Sequence, residues 1–306
     1  MGTRLTTCRG SIRTGDRSCI QALRITFGLL WGVIAVAQAP PEMRLDPAPA
    51  PQRASIPLLT GAPDQEQWER MMDQTTVRNV SRPALYPVLP PAGQGNGKAV
   101  IVVPGGGYQF VSMDSEGFRV ADRLAQAGYT AFVLKYRTMP TARDPVVHMR
   151  HMAALFGELG KRELADHPPA VDDLAAALAL VTREAAQWKI DPAQIHLIGF
   201  SAGSRTEIRL LEQRHEAALA RSVALIYPPM TQKVTGGPRP PLFLAIAVDD
   251  PLFRQGRLGL LEQWLNESMK VEFHLYSGGS HGFGMRPMGT TSDHWIDQYL
   301  AWLAKQ

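Results

Sequence analysis

A serine lies between two glycines in the sequence "GFSAG", at residues 199–203. A serine hydroxyl is a poor nucleophile unless a base removes its proton and a third group holds that base in place. The apolar run "IHLIGF" ends at this motif, and a segment that can form a helix follows it. A strand, a sharp turn and a helix would hold the hydroxyl out at the strand tip, where the first helix amides point at it. Because the pattern also occurs by chance, Ser201 is either a nucleophile or an ordinary turn serine, depending on what the chain places beside it.

The base should be a histidine near the end of the chain, because serine, acid and histidine follow one another in that order in sheets of this kind. His281 fits, since it lies in the glycine-rich segment "YSGGSHGFGM" directly after the strand-like run "KVEFHLY". His274 lies inside that run and His294 lies in the predicted last helix, while the other histidines precede the acid or lie within elements. His281 is therefore the predicted base, and a structural loop histidine is the alternative.

The acid should follow another strand near the His281 loop. The apolar run "PLFLAIAV" ends in Asp249-Asp250-Pro251. Asp-Pro is also an ordinary turn signal, so a plain turn is the alternative. The residue before a proline is pushed into an extended conformation, which favours Asp250 as the triad acid and leaves Asp249 as the second choice. Aspartates earlier in the chain, such as Asp114, do not fit the expected order.

A third requirement is a set of donors for the oxyanion. Three glycines follow the run "AVIVV" in the motif "PGGGY", where side-chain-free residues let backbone amides approach a substrate carbonyl. The amides of Gly106, Gly107 and Ala202 are the candidates. A phosphate loop is disfavoured, because neither Gly-x-Gly-x-x-Gly nor a following lysine is present. Tyr108 in the motif and Arg205, one helical turn past Ser201, are candidate substrate contacts.

The elements that must position these residues alternate along the chain. Continuous apolar runs predict strands, and segments with helical periodicity separate them. Such runs predict a mostly parallel sheet with helices on both faces, and chemistry collects at the carboxyl ends of its strands. The predicted strands are 99–103, 130–136, 195–200, 222–228, 241–248 and 270–276.

Together these motifs resemble the α/β-hydrolase esterases. "PGGGY", "IDPAQIHLIGFSAG", "AVDDPLF" and "SHGFGM" are most similar to the acetylxylan-esterase-like group of secreted carbohydrate esterases, close to the dienelactone-hydrolase and hormone-sensitive-lipase branches. The resemblance extends over roughly residues 65–306. It implies an α/β-hydrolase fold, a triad of Ser201, Asp250 and His281, and oxyanion donors from the glycine loop and Ala202.

The resemblance also implies a serine carboxylesterase that hydrolyses short-chain acyl esters, with acetyl esters of carbohydrates as the expected substrates and no cofactor. A serine peptidase of the prolyl-oligopeptidase type is one alternative, but such enzymes usually carry a large preceding domain. A non-catalytic binding protein is another, although all three triad positions are filled here.

Two features depart from the family pattern. Ser204 and Arg205 follow "FSAG" where glycine is usual, and residues 139–169 are longer than expected between a strand and a helix. Within this insert, apolar residues recur at helical spacing, which predicts either a helix packed on the sheet or a flexible cap over an acyl pocket. These residues are Met149, Met152, Leu155, Phe156 and Leu159. His148 and His151 could bind a metal, but no third ligand is evident, so no metal is predicted.

The start of the chain has the pattern of a targeting segment. Five arginines precede or adjoin a 13-residue apolar run that ends in Ala35-Val36-Ala37, which is typical of a secretory leader. A membrane anchor or a buried core segment is the alternative. Residues 1–37 are therefore predicted to be removed, residues 38–62 to form a Pro/Ala-rich linker, and residues 63–306 to form the hydrolase domain. Such a leader implies a secreted or periplasmic protein without stable membrane insertion.

Charge and cysteine usage agree with this prediction. The leader holds five arginines and one aspartate, so its removal from 32 basic and 28 acidic residues leaves 27 of each. A neutral mature chain gives no reason to expect nucleic acid as a partner. Both cysteines, Cys8 and Cys19, lie in the leader, which excludes a cysteine nucleophile and suits an oxidising compartment.

Overall fold

The structure, a computed structural model, describes residues 44–71 and 74–306. The predicted leader, its cleavage after Ala37 and the first residues of the predicted linker lie outside the described residues, so export stays a prediction. In chain order the strands of the described ranges are β1 (Asp46–Pro47), β2 (Ile56–Pro57), β3 (Gln67–Met71), β4 (Gln74–Arg78), β5 (Ala84–Val88), β6 (Ala99–Val103), β7 (Thr130–Lys135), β8 (Ile195–Phe200), β9 (Ser222–Ile226), β10 (Leu242–Ala247) and β11 (Val271–Tyr276). The α-helices are α1 (Arg119–Gln126), α2 (Pro145–Gly157), α3 (Pro168–Arg183), α4 (Ala202–Gln213), α5 (Pro251–Gly256), α6 (Gly259–Leu265) and α7 (Trp295–Leu303).

The main sheet has eight strands in the order β11-β10-β9-β8-β6-β7-β5-β2. Strands β6 to β11 run parallel, whereas β5 is antiparallel to β7 and β2 is antiparallel to β5. Every residue of β6, β7, β8, β9 and β10 is buried. Because successive side chains point to opposite faces, this burial means that both faces of the sheet are covered. The six parallel strands are those that the apolar runs predict, and the predicted mostly parallel sheet is confirmed.

Helices cover the sheet in two groups. Helix α4 packs against β8 and α3, whereas α1 packs against β7 and is joined to α7 by an ion pair of Arg123 and Asp297, 2.8 Å long. A π-helical turn, Asp114–Phe118, precedes α1, and Gly128 follows its end with a φ of 91°. Among the described residues, no helix combines the length and apolar character that crossing a bilayer would require.

The segment before the hydrolase domain differs from the predicted linker. In its described part, β1 pairs with β3 of a three-stranded sheet, and β2 pairs with β5 at the edge of the main sheet. A proline-rich chain is extended and can pair at the edge of a sheet. An edge strand can lack a backbone N–H on its solvent side without losing a hydrogen bond to the neighbouring strand. Residues 44–62 are thus attached to the domain at two points rather than wholly solvated.

The parallel strands bring the predicted functional segments to one edge. The glycine loop follows β6, Ser201 follows β8, Asp250 comes shortly after β10, and the loop of His281 follows β11. Since these strands are parallel, their carboxyl ends lie on the same side of the sheet.

Candidate active site

Ser201 occupies a strained turn between β8 and α4. Its backbone angles are φ 49° and ψ −110°, a conformation that side-chain-bearing residues rarely adopt. The turn is tight because the helix starts close to the sheet: a Cβ on Gly203 would lie 1.9 Å from the carbonyl oxygen of Val103. The Ser201 amide donates to the carbonyl oxygen of Ile226 over 3.0 Å, which anchors the turn to the neighbouring strand. This is the geometry of the predicted nucleophile elbow.

Three side chains form a continuous line of hydrogen bonds at this turn. His281 Nε2 lies 2.9 Å from Ser201 Oγ, and His281 Nδ1 lies 2.9 Å from Asp250 Oδ2. Asp250 is fully buried and caps α5, where its Oδ1 accepts from the Leu252 amide over 2.8 Å. A carboxylate at Nδ1 favours the tautomer with the proton on that nitrogen, which leaves Nε2 free to accept the serine proton.

The neighbouring Asp249 has a different position. Its Oδ1 accepts from the Ser280 amide over 2.8 Å, and Ser280 has a φ of 55°. Asp249 therefore holds the backbone just before His281 but does not contact the imidazole. Of the two acids that the sequence leaves open, Asp250 is the one beside His281.

The glycine loop lies next to Ser201. Gly106 and Gly107 line the same cavity as Ser201, and their φ angles are 130° and 58°. A Cβ on Gly106 would lie 2.0 Å from the Phe110 carbonyl oxygen, so only glycine fits there. In the part of the chain that the structure describes, the amides of Gly106, Gly107 and Ala202 have no acceptor. The Ala202 amide also lies at the positive end of α4. We name residues 105–107 the oxyanion loop.

A cavity of about 500 Å³ contains Ser201 and His281 in its wall. Helix α2 forms much of the opposite wall. The five apolar residues that recur at helical spacing in the insert all line the cavity, so the insert is the cap over a pocket rather than a helix packed only on the sheet. These are Met149, Met152, Leu155, Phe156 and Leu159. Met71 and Phe110 also line it and form a small apolar cluster with Met152. Methionine side chains adapt their shape readily, which suits a wall that contacts varied apolar groups.

Charged side chains hold the cap at both ends. Before α2, the Arg78 guanidinium bonds the Arg143 carbonyl over 2.8 Å and pairs with Glu69 at 2.8 Å, with Arg78 and Glu69 both buried. After α2, Asp166 pairs with Arg205 at 2.9 Å and with Arg209 at 2.8 Å. The cap is therefore fixed to the small sheet at one end and to α4 at the other.

Two predicted substrate contacts lie elsewhere. The Arg205 side chain is buried and its charge is balanced by the ion pair with Asp166. It is not part of the cavity wall. Tyr108 is also buried, and its hydroxyl lies 3.1 Å from both the Ala202 carbonyl and Thr206 Oγ1. Both side chains thus fix α4 instead of facing substrate. Burial raises the pKa of Tyr108 to about 12.

The two histidines considered for a metal point in different directions. His148 is buried and His151 is exposed. Burial and the nearby Arg78 charge lower the pKa of His148 from 6.5 to about 4. Within residues 44–71 and 74–306, no cluster of three or more His, Cys, Asp or Glu side chains could hold a metal ion.

Several polar side chains of the cavity wall were not predicted. Ser112 Oγ donates to Gln74 Oε1 over 2.9 Å, and Arg286 Nη2 donates to the Gly282 carbonyl over 2.5 Å. Glu116 also lines the cavity and is buried. In the sequence Glu116 resembles an ordinary acid at the start of a helix. No local pattern distinguishes it, because its partners come from distant segments.

Comparisons with known proteins agree with this site. Residues 86–303 match the dienelactone hydrolase family. Over 108 residues, 35% of the chain, the sequence is 30% identical to an acetylxylan esterase of Xylanibacter ruminicola. The match covers 18% of that relative, so the chain spans less than a fifth of its length.

Solved structures share the fold at lower identity. An acetyl ester-xyloside bifunctional hydrolase of Caldicellulosiruptor lactoaceticus superposes with a TM-score of 0.57 at 20% identity, covering 74% of this chain and 89% of that one. The carboxylesterase Cest-2923 of Lactobacillus plantarum gives 0.57 at 18% identity, covering 83% and 98%. The α/β-hydrolase fold is therefore confirmed. Because the family match takes in most of the chain, including the elbow, the acid and the histidine, the protein belongs to the dienelactone hydrolase family.

Proposed function

We propose that this protein is a serine carboxylesterase that hydrolyses short-chain acyl esters. The observation that carries the proposal is the line of hydrogen bonds from Ser201 through His281 to Asp250, beside amides that have no acceptor among the described residues. Membership of a hydrolase family supports the same reaction class.

The proposed reaction has two steps. His281 Nε2 takes the proton of Ser201 as its oxygen attacks the ester carbonyl, and Asp250 stabilises the imidazolium that forms. In this reaction the amides of Gly106, Gly107 and Ala202 bind the oxyanion, and one such donor is typically worth about 3–4 kcal/mol. His281 then protonates the leaving alcohol. Water, deprotonated by His281, cleaves the acyl-serine and restores the free serine.

Acetyl esters of carbohydrates are the candidate natural substrates. This finer assignment is supported by the names of the similar proteins, an acetylxylan esterase and an acetyl ester-xyloside hydrolase. The cavity wall suits an ester that has both apolar and polar groups, since it combines apolar cap residues with the polar side chains of Gln74, Ser112 and Arg286.

The test uses p-nitrophenyl acetate, acetylated xylan and a fluorophosphonate probe. Wild-type protein should hydrolyse the ester and be labelled, whereas Ser201→Ala should lose labelling and at least about a thousandfold in rate. Ser55→Ala is the matched control, because Ser55 is exposed and outside the cavity wall. Ester hydrolysis by Ser201→Ala at the wild-type rate would refute the proposal, and release of acetate from xylan would decide the alcohol.

A further inference from the structure

Glu116 lies beneath the candidate active site. It belongs to the π-helical turn Asp114–Phe118, is 6% exposed and lines the cavity. A Cβ on Gly105 would lie 2.8 Å from Glu116 Oε2 and 3.0 Å from the Ser201 Cβ. The carboxyl group is therefore close to the nucleophile, although the triad does not use it.

The Glu116 carboxyl joins two segments of the site. Its Oε2 accepts from the Gly105 amide over 2.7 Å, at the start of the oxyanion loop. Its Oε1 lies 2.7 Å from the hydroxyl of Tyr227, the residue that follows β9. The Tyr227 ring packs edge-on against the His281 ring with 5.0 Å between centroids. One side chain thus fixes both the amides beside Ser201 and the aromatic surface behind His281.

Burial and the neighbouring groups act on the pKa of Glu116 in opposite directions. Burial raises the pKa of Glu116, while the Tyr227 and Gly105 hydrogen bonds and the charges of His281 and Arg286 oppose that rise without reversing it. The buried Tyr136 hydroxyl is the other titratable group near it. No described cation lies within ion-pair distance of Glu116. The two hydrogen bonds, rather than an ion pair, therefore hold the carboxyl group in place.

Both carboxyl oxygens act as acceptors in these contacts. Oε2 accepts from the Gly105 amide and Oε1 accepts from the Tyr227 hydroxyl, so the carboxyl satisfies one donor of each segment. We infer that Glu116 is a positioning residue whose carboxyl group fixes the oxyanion loop and the Tyr227 ring supporting His281. This inference rests on the proposed esterase function. Glu116 itself takes no part in proton transfer.

The test compares Glu116→Gln with Glu116→Leu. Glutamine keeps an oxygen that can accept from the Gly105 amide, and its NH2 group can donate to the Tyr227 oxygen; leucine leaves both groups unpaired. We expect Glu116→Leu to lower kcat on p-nitrophenyl acetate about 100-fold with little change in KM, the pattern of a lost transition-state contact. Glu116→Gln should recover kcat to within about threefold of wild type. Glu262→Gln, an exposed change of the same chemistry on α6, is the control.

Each outcome separates the two proposals. If wild-type protein neither hydrolyses the ester nor reacts with fluorophosphonate, the esterase function fails. If it does both, Glu116→Gln with as little activity as the leucine variant would show that an acceptor for the Gly105 amide does not restore the oxyanion loop, and this would overturn the inference. Wild-type kcat in Glu116→Leu would overturn any positioning role. Should the leucine variant not fold, Tyr227→Phe removes one of the two contacts, and the inference then requires kcat to fall about five- to tenfold.

Discussion

Replacing Asp250 by asparagine should abolish most catalysis without unfolding the protein. Asp250 uses one oxygen for the Leu252 amide and the other for His281 Nδ1. Asparagine has a single acceptor oxygen, and the Leu252 bond retains it, so its amide group faces the imidazole. The imidazole must then accept at Nδ1 and carry its proton on Nε2, where it cannot take the proton of Ser201. We expect kcat to fall by about 10⁴, which corresponds to about 5 kcal/mol.

The assay is hydrolysis of p-nitrophenyl acetate at neutral pH, with thermal unfolding as the check of folding. Asp249→Asn is the matched control, because the new side chain keeps an oxygen that can accept from the Ser280 amide. Its kcat should stay within a few-fold of wild type. If Asp250→Asn retained more than a tenth of the wild-type kcat, or if Asp249→Asn were the more damaging change, the assignment of Asp250 as the acid would be wrong.

Two further predictions concern stability and its pH dependence. Glu207 in α4 is fully buried, neither of its carboxyl oxygens has a partner among the described residues, and burial raises its pKa well above 4.5. The unfolded chain releases the Glu207 proton above about pH 4.5, whereas the folded protein keeps it to higher pH, so the free energy of unfolding falls as pH rises. Glu207→Met should therefore raise the free energy of unfolding by about 1–3 kcal/mol near pH 8 and by less near pH 5. An unchanged or lower melting temperature near pH 8 would contradict this. The pKa of His148 is lowered from 6.5 to about 4. Between these pH values the unfolded chain binds a proton at His148 and the folded protein does not, so the free energy of unfolding falls as pH decreases from 6.5 to about 4. His148→Phe should reduce that acid-dependent fall in melting temperature, and equal pH profiles for the two proteins would rule the explanation out.

The sequence alone was sufficient for the elements whose character is local. Strands β6 to β11 are short apolar runs, and each was predicted within a few residues because burial on both faces requires such composition. Ser201, Asp250 and His281 each follow one of these strands. Knowing that the strands are parallel was enough to predict that the three residues meet at one edge.

The edge strands and the cap could not be predicted in the same way. Strands β1 and β2 are two residues long and contain proline, so no periodic pattern indicates them. The insert has helical spacing, but spacing does not say which surface a helix contacts. Its position depends on Arg78 and Asp166, whose partners lie in other segments.

Side-chain roles in the wall were the least predictable part. Arg205 was placed correctly one turn past Ser201, yet its direction is set by Asp166, 39 residues earlier. Tyr108 belongs to the predicted motif, but its hydroxyl bonds α4 instead of facing the cavity. The position of Glu116 depends on its hydrogen bonds with Gly105 and Tyr227, which follow β6 and β9. In each case the deciding contact joins residues far apart in sequence.

Backbone strain explains why local rules fail at this site in particular. Four non-glycine residues with positive φ surround the candidate active site: Tyr108, Ser201, Tyr227 and Ser280. Such conformations cost of order 1–3 kcal/mol each and persist only where neighbouring structure holds them. Here the amide of Ser201 is bonded to Ile226, that of Tyr227 to Ala245, and that of Ser280 to Asp249. Strands β9 and β10 and the acidic turn after β10 thus impose conformations that the local sequence disfavours. A change in these supports should therefore reduce activity through the geometry of the triad, even where the altered residue never contacts a substrate.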